Sequence, residues 1–171
     1  MRLLSTCTPS QMSRVAFIEH FKDLYEHSPW VAERVFDLGL SKQLDDAESL
    51  LGVFQKAMLA ATKEQQLNLI CAHPDLAGKA AIGGQLTAAS TTEQAGAGIS
   101  DCSPEEFARF TQLNDAYKIN FGFPFIKAVE GSNRQQILAA FETRIHHLAE
   151  VEFALALTEI NKIACFRMAN M

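Results

Sequence analysis

A chain of 171 residues, 48% hydrophobic and 20% charged, has a globular composition and the length to bury one substantial core. Its net charge of −5, with no Lys/Arg cluster, argues against nucleic acid or an anionic membrane surface as the main partner. No apolar run approaches the roughly 20 residues that span a bilayer, and the opening "MRLLSTCTPSQMSRVAF" lacks the continuous apolar segment of a signal peptide.

The sequence reads as helices from end to end. Ser28 is a candidate N-cap with Pro29 at the first helical position, and Gly39 closes the segment "PWVAERVFDLG". A run rich in Ala, Leu and Glu, from about Leu44 to Ala61, predicts the next helix. Thr62 then opens "TKEQQLNLICA", with Gln65 three residues on in a capping-box pattern. That helix is predicted to end at or just before His73, because Pro74 disfavours helical backbone at the residue preceding it. The stretch "AGKAAIGGQLTAAS" reads as the most flexible, and Ser90 with Glu93 reads as a second capping box.

Ser103-Pro104, with Glu106 three residues after the serine, starts the clearest amphipathic helix. Phe107, Phe110, Leu113, Tyr117 and Phe121 follow at spacings of three and four, and Gly122 closes it. "FGFPFIKAV" has a short β-like run, but Pro124 and the flanking Gly122 and Gly131 favour an extended connector. Ser132 is the predicted cap of a helix that places Ile137, Phe141, Ile145 and Leu148 on one face. The final helix, from about Ala149 to Met168, is apolar over a wide arc. The expected fold is all-α, a single compact domain over residues 1–171 with roughly eight to ten helices.

Cys7, Cys71, Cys102 and Cys165 lie far apart with no C-x-x-C, which fits reduced thiols in a cytoplasm. They lack the paired spacing of a zinc site, and the helical neighbours His146 and His147 would point about 100° apart, so no metal is expected.

Four side chains could carry chemistry. His73 suits proton transfer near neutral pH, or equally caps a helix C-terminus. Glu93 is covered by its capping box, yet a helix start after a glycine-rich loop also offers N–H groups to a carboxylate or developing oxyanion. Arg134 sits in the first turn of its helix, where the dipole disfavours a cation. Arg167 ends an apolar helix, where the dipole favours one and a guanidinium fork could reach a carboxylate. Serine-nucleophile, P-loop and dinucleotide patterns are absent.

Taken in order, "HPDLAGKAA" at 73–81, "LTAASTTEQAGAG" at 86–98, "LNDAYKINFGFPFIKAV" at 113–129 and "INKIACFRM" at 160–168 resemble the signatures of the OHCU decarboxylases. Those enzymes act on 2-oxo-4-hydroxy-4-carboxy-5-ureidoimidazoline in urate degradation. The resemblance implies a cofactor-independent, all-helical lyase that releases CO₂ and forms (S)-allantoin, commonly as a homodimer. It places the family's catalytic histidine on His73 and its paired glutamate on Glu93. Substrate contacts fall on Pro74, on Ser90, Thr91, Thr92, Glu93 and Gln94, and on the backbone-rich segment Phe125, Ile126, Lys127, Ala128 and Val129. A family arginine matches Arg167 through K-I-x-x-x-R, and Arg134 resembles another. The competing reading is a noncatalytic helical module that binds a partner helix in an apolar groove, which the twelve phenylalanines would also permit.

Overall fold

Most of the helices begin where a polar side chain accepts from a free N–H group of the first turn. The computed structural model describes residues 3–78 and 86–171, and the helices among them are α1 (Arg14–Phe21), α2 (Trp30–Asp37), α3 (Ala47–Leu59), α4 (Lys63–Cys71), α5 (Ala88–Gly96), α6 (Pro104–Phe121), α7 (Arg134–Arg144) and α8 (Ala149–Ala169). Short 3₁₀ turns occupy Pro9–Gln11, Lys42–Asp45 and Ile99–Asp101. No strand forms among the described residues, so the all-α expectation holds there. Residues 79–85 of the stretch expected to be flexible lie outside the described residues.

Two capping boxes stand as read. Thr62 and Gln65 exchange bonds at the start of α4, and Ser103 and Glu106 do so at the start of α6. Gly39 and Gly122 follow their helices at φ +92° and +77°, backbone that a side chain would strain. Other starts move. Pro29 itself caps α2, one residue after the expected Ser28. Asp46 caps α3 by accepting from Ser49 N–H, so the run from Leu44 begins as a 3₁₀ turn rather than as helix. Asn133, not Ser132, closes a capping box with Gln136 at α7.

The contacts group the chain into two compact units, residues 1–72 with 161–171 and residues 73–160. In the first, α1 packs on α2 and α2 on α3. Phe17, Phe21, Tyr25 and Phe54 form its aromatic centre, with Phe17 and Phe54 stacked at 6.0 Å, and the Tyr25 hydroxyl donates to Asn161 Oδ1 at 2.8 Å. In the second, Tyr117 meets Phe125 and Phe141 edge-on, while those two rings stack at 3.8 Å. Ile137 and Phe141 are fully buried as their spacing predicted. Leu148 is 75% exposed, because α7 stops at Arg144 and the helical register ends before it.

Candidate active site

The histidine stands where the proline rule places it. α4 ends at Cys71, the Ala72 N–H closes it onto the carbonyls of Asn68 and Leu69, and His73 follows as a buried residue. Beyond it the chain makes a tight turn. Ala77 lies at φ +51°, in the left-handed region that costs an alanine about 1 kcal/mol or more. Four bonds hold the turn against that strain. Gln94 accepts from the Ala77 N–H at 3.1 Å and donates to the Asp75 carbonyl at 3.4 Å. Asn114 donates to the Leu76 carbonyl at 2.8 Å, and Lys118 Nζ pairs with Asp75 Oδ2 at 2.6 Å. Gly78 is required by close approach, since a Cβ there would lie 2.8 Å from the Asp75 Cβ. Side chains from α5 and α6 thus fix the backbone that leads out of His73.

On α5 the structure corrects the reading of Glu93. Thr87 is the N-cap, accepting from the Ser90 N–H at 3.2 Å, so Ser90 lies inside the helix and Glu93 lies beyond its first turn. Ser90, the expected cap, is 4% exposed. Thr91 and Thr92 donate their hydroxyls back to the Thr87 and Ala88 carbonyls, as threonines inside a helix do. The five residues 90–94 therefore do not share a face. Ser90 and Gln94 are buried, and Thr91, Gln94 and Ala95 line a cavity of about 370 Å³ with Ala77 and Phe107. Glu93 is half-buried about 200° around the helix from Thr91.

The segment Phe125–Val129 forms no strand, and all but Lys127 are buried. Phe125 lies between the Phe141 ring and the Arg144 guanidinium, 4.4 Å from its centroid. Arg144 Nη1 donates to the Ile126 carbonyl at 2.7 Å, and Glu159 accepts from the Ala128 N–H at 2.8 Å.

The two arginines are both engaged. Arg134 pairs with Glu106 at 2.8 Å and donates to the Gly98 carbonyl at 3.3 Å, which offsets its unfavourable place in a first turn. The Ser103 N–H and then Arg134 hold the Glu106 carboxyl below the usual carboxylate range. Arg167 belongs to the other unit, where it pairs with buried Glu26 at 2.8 Å and donates to the Asp23 carbonyl at 2.9 Å.

The sequence reading missed the most buried charge cluster. Glu152 of α8 is fully buried and accepts from Arg144 Nε and Nη2 and from the Tyr117 hydroxyl, and His147 Nδ1 lies 2.7 Å from it. Burial pushes its carboxyl up, but Arg144, Tyr117 and His147 more than offset this and hold it below the usual range. Burial and the Glu152 charge push the Tyr117 phenol well up. A signal was available: Glu152 and Glu159 recur at i and i+7 on the stripe of α8 that also carries Ala156, Ile160 and Ile163, and charges on a buried stripe imply buried partners.

The sequence model of OHCU decarboxylase matches residues 10–169. The 2-oxo-4-hydroxy-4-carboxy-5-ureidoimidazoline decarboxylase of Haloferax volcanii is 38% identical over 95% of each chain. The uric acid degradation bifunctional protein PucL of Bacillus subtilis is 36% identical over 95% of this chain and 31% of its own. Among solved structures, an (S)-allantoin synthase matches at 29% identity and a TM-score of 0.72, over 95% of this chain and 52% of that one, so this chain spans about half its length. The chain belongs to the OHCU decarboxylase family.

Proposed function

We propose that this chain is a carboxy-lyase of urate degradation that converts 2-oxo-4-hydroxy-4-carboxy-5-ureidoimidazoline (OHCU) to (S)-allantoin and CO₂. The observation that carries this is family membership over nearly the whole chain, at 38% identity to a relative of matching length that bears that name. The site chemistry is compatible with it. The bond from the ring to the carboxylate breaks, and its electron pair moves into the adjacent C=N of the imidazoline, whose nitrogen takes up a proton. The hydroxyl-bearing carbon becomes the carbonyl of the product as it loses its hydroxyl proton. One proton added to the ureido-bearing carbon creates the stereocentre. The substrate is its own electron sink, so no cofactor is assigned.

His73 is assigned the proton transfer, since it is buried at a helix break on a turn fixed by four bonds. Glu93, one residue before the Gln94 anchor, is assigned to orient it or to hold the ureido group. Pro74, residues 90–94 and 125–129, and Arg167 are assigned substrate contacts, with Arg167 taking a carboxylate or ring oxygen. Arg134, already bonded to Glu106 and Gly98, is assigned a supporting part. A cytoplasmic homodimer completes the reading, and the four cysteines, none of them disulfide-bonded, are compatible with a reducing compartment.

The test is direct. OHCU made fresh from urate is followed by its ultraviolet decay and by the circular dichroism of the allantoin formed, and light scattering on the same sample reads the subunit number. Faster decay with the S signal is expected. Spontaneous, racemic decay in the presence of folded protein would overturn the reading and bring the interaction module forward.

A further inference from the structure

The segment Phe125–Val129 is held in an unusual way for a loop. Its main chain joins no helix or sheet, yet two charged side chains less than a tenth exposed spend hydrogen bonds on it. Arg144 comes from the last turn of α7 and binds the Ile126 carbonyl; Glu159 comes from the middle of α8 and binds the Ala128 N–H. Burying a charge costs several kcal/mol unless its geometry is well satisfied, so apolar packing alone would be a cheaper way to anchor a connector. Both helices also fix the side-chain register. Arg144 is braced by Glu152, and Phe125 is trapped between the Arg144 guanidinium and the Phe141 ring.

The Ile126 carbonyl shares one trans peptide with the Lys127 N–H, and the Ala128 N–H shares the next with the Lys127 carbonyl, so each Lys127 group points away from the group that Arg144 or Glu159 holds. Those two groups make no hydrogen bond with any other described residue, and Lys127 is the one residue of the five that is not buried. A donor and an acceptor side by side on one residue match the complementary pair on an amide or urea edge, –NH–C(=O)–.

We propose that Arg144 and Glu159 are positioning residues that hold this segment in the register at which the Lys127 peptide groups meet a urea edge of the substrate. The inference rests on the functional reading above. Neither side chain touches the substrate; each acts through main chain. Glu152 and Tyr117 serve the same end by fixing Arg144.

The experiment compares Glu159→Gln, which keeps an acceptor oxygen, with Glu159→Leu, which removes it. Turnover of OHCU is measured on both and on the wild type, with circular dichroism to confirm helical content. The loss of one hydrogen bond that sets the register predicts about a tenfold rise in KM for Glu159→Leu with a smaller change in kcat, and recovery toward wild type in Glu159→Gln. Wild-type KM in folded Glu159→Leu overturns the proposal, as does an equal loss in Glu159→Gln, which would point to charge rather than to the bond. A second readout needs no variant: in amide exchange on the wild type, Ala128 is protected throughout, whereas Lys127 gains protection only when (S)-allantoin is added. An unchanged Lys127 amide overturns the proposal even if neither variant folds. Folded wild type that leaves OHCU decay untouched overturns the functional reading and this one with it; active wild type with either contrary result overturns this one alone.

Discussion

An imidazole is useful for proton transfer only if its position is fixed more tightly than a loop ordinarily allows. At His73 that fixing comes from the residues after it. Pro74 stops the helix, Ala77 takes a left-handed backbone, and Gln94, Asn114 and Lys118 hold the turn. Replacing His73 by asparagine keeps a polar side chain but removes the imidazole, the group suited to proton transfer. The expected outcome is a fall in kcat of about 100-fold or more, the usual contribution of a positioned acid or base, with helical content unchanged. Single-turnover kinetics beside a far-ultraviolet dichroism spectrum checks it. Near-wild-type turnover in the folded variant would leave His73 only the part of a buried residue at a helix end.

At the scale of elements, the start of α5 separates two capping assignments. Thr87 accepts from the Ser90 N–H, so Thr87→Ala should cost about 1 kcal/mol, read as a lowered urea midpoint at unchanged m-value. Full stability in that variant would return the cap to Ser90. Local rules carried far here. Capping boxes at Thr62 and Ser103, the break at Pro74 and the glycine stops at 39 and 122 depend on neighbours within a few residues, and all stand in the structure. The errors lie where two capping residues stand close together, as at Ser132 and Asn133 or at Thr87 and Ser90; in the second pair the residue that the rest of the chain buries, Ser90, is not the cap. The resemblance drew attention to residues 125–129, but not to what holds them. Arg144 reaches across 18 residues to Ile126, and Tyr117 across 35 to Glu152, spans that periodicity does not register.

Over the whole molecule, acid should act through buried as well as surface charge. The chain carries 20 acidic and 15 basic residues, so lowering the pH first removes its net negative charge and then makes it self-repelling. Asp37 is held low by Arg14, but both are exposed and contribute little. Glu152 is different, being fully buried against Arg144. Its carboxyl titrates lower in the folded protein than in the unfolded chain, where glutamate titrates near ~4.3. The stability it contributes is therefore present above that pH and lost as the pH falls through the folded value. Glu152→Gln separates this from general self-repulsion, because it leaves the other charges in place. At pH 7 the variant should be less stable by about 3 kcal/mol or more, since Arg144 loses its buried counter-charge. On acidification the wild type should lose that advantage, so the two urea midpoints converge as the pH falls from about 4.3 through the lower folded value. Parallel curves over that range would mean that Glu152 titrates alike in both states, and that self-repulsion alone drives acid unfolding.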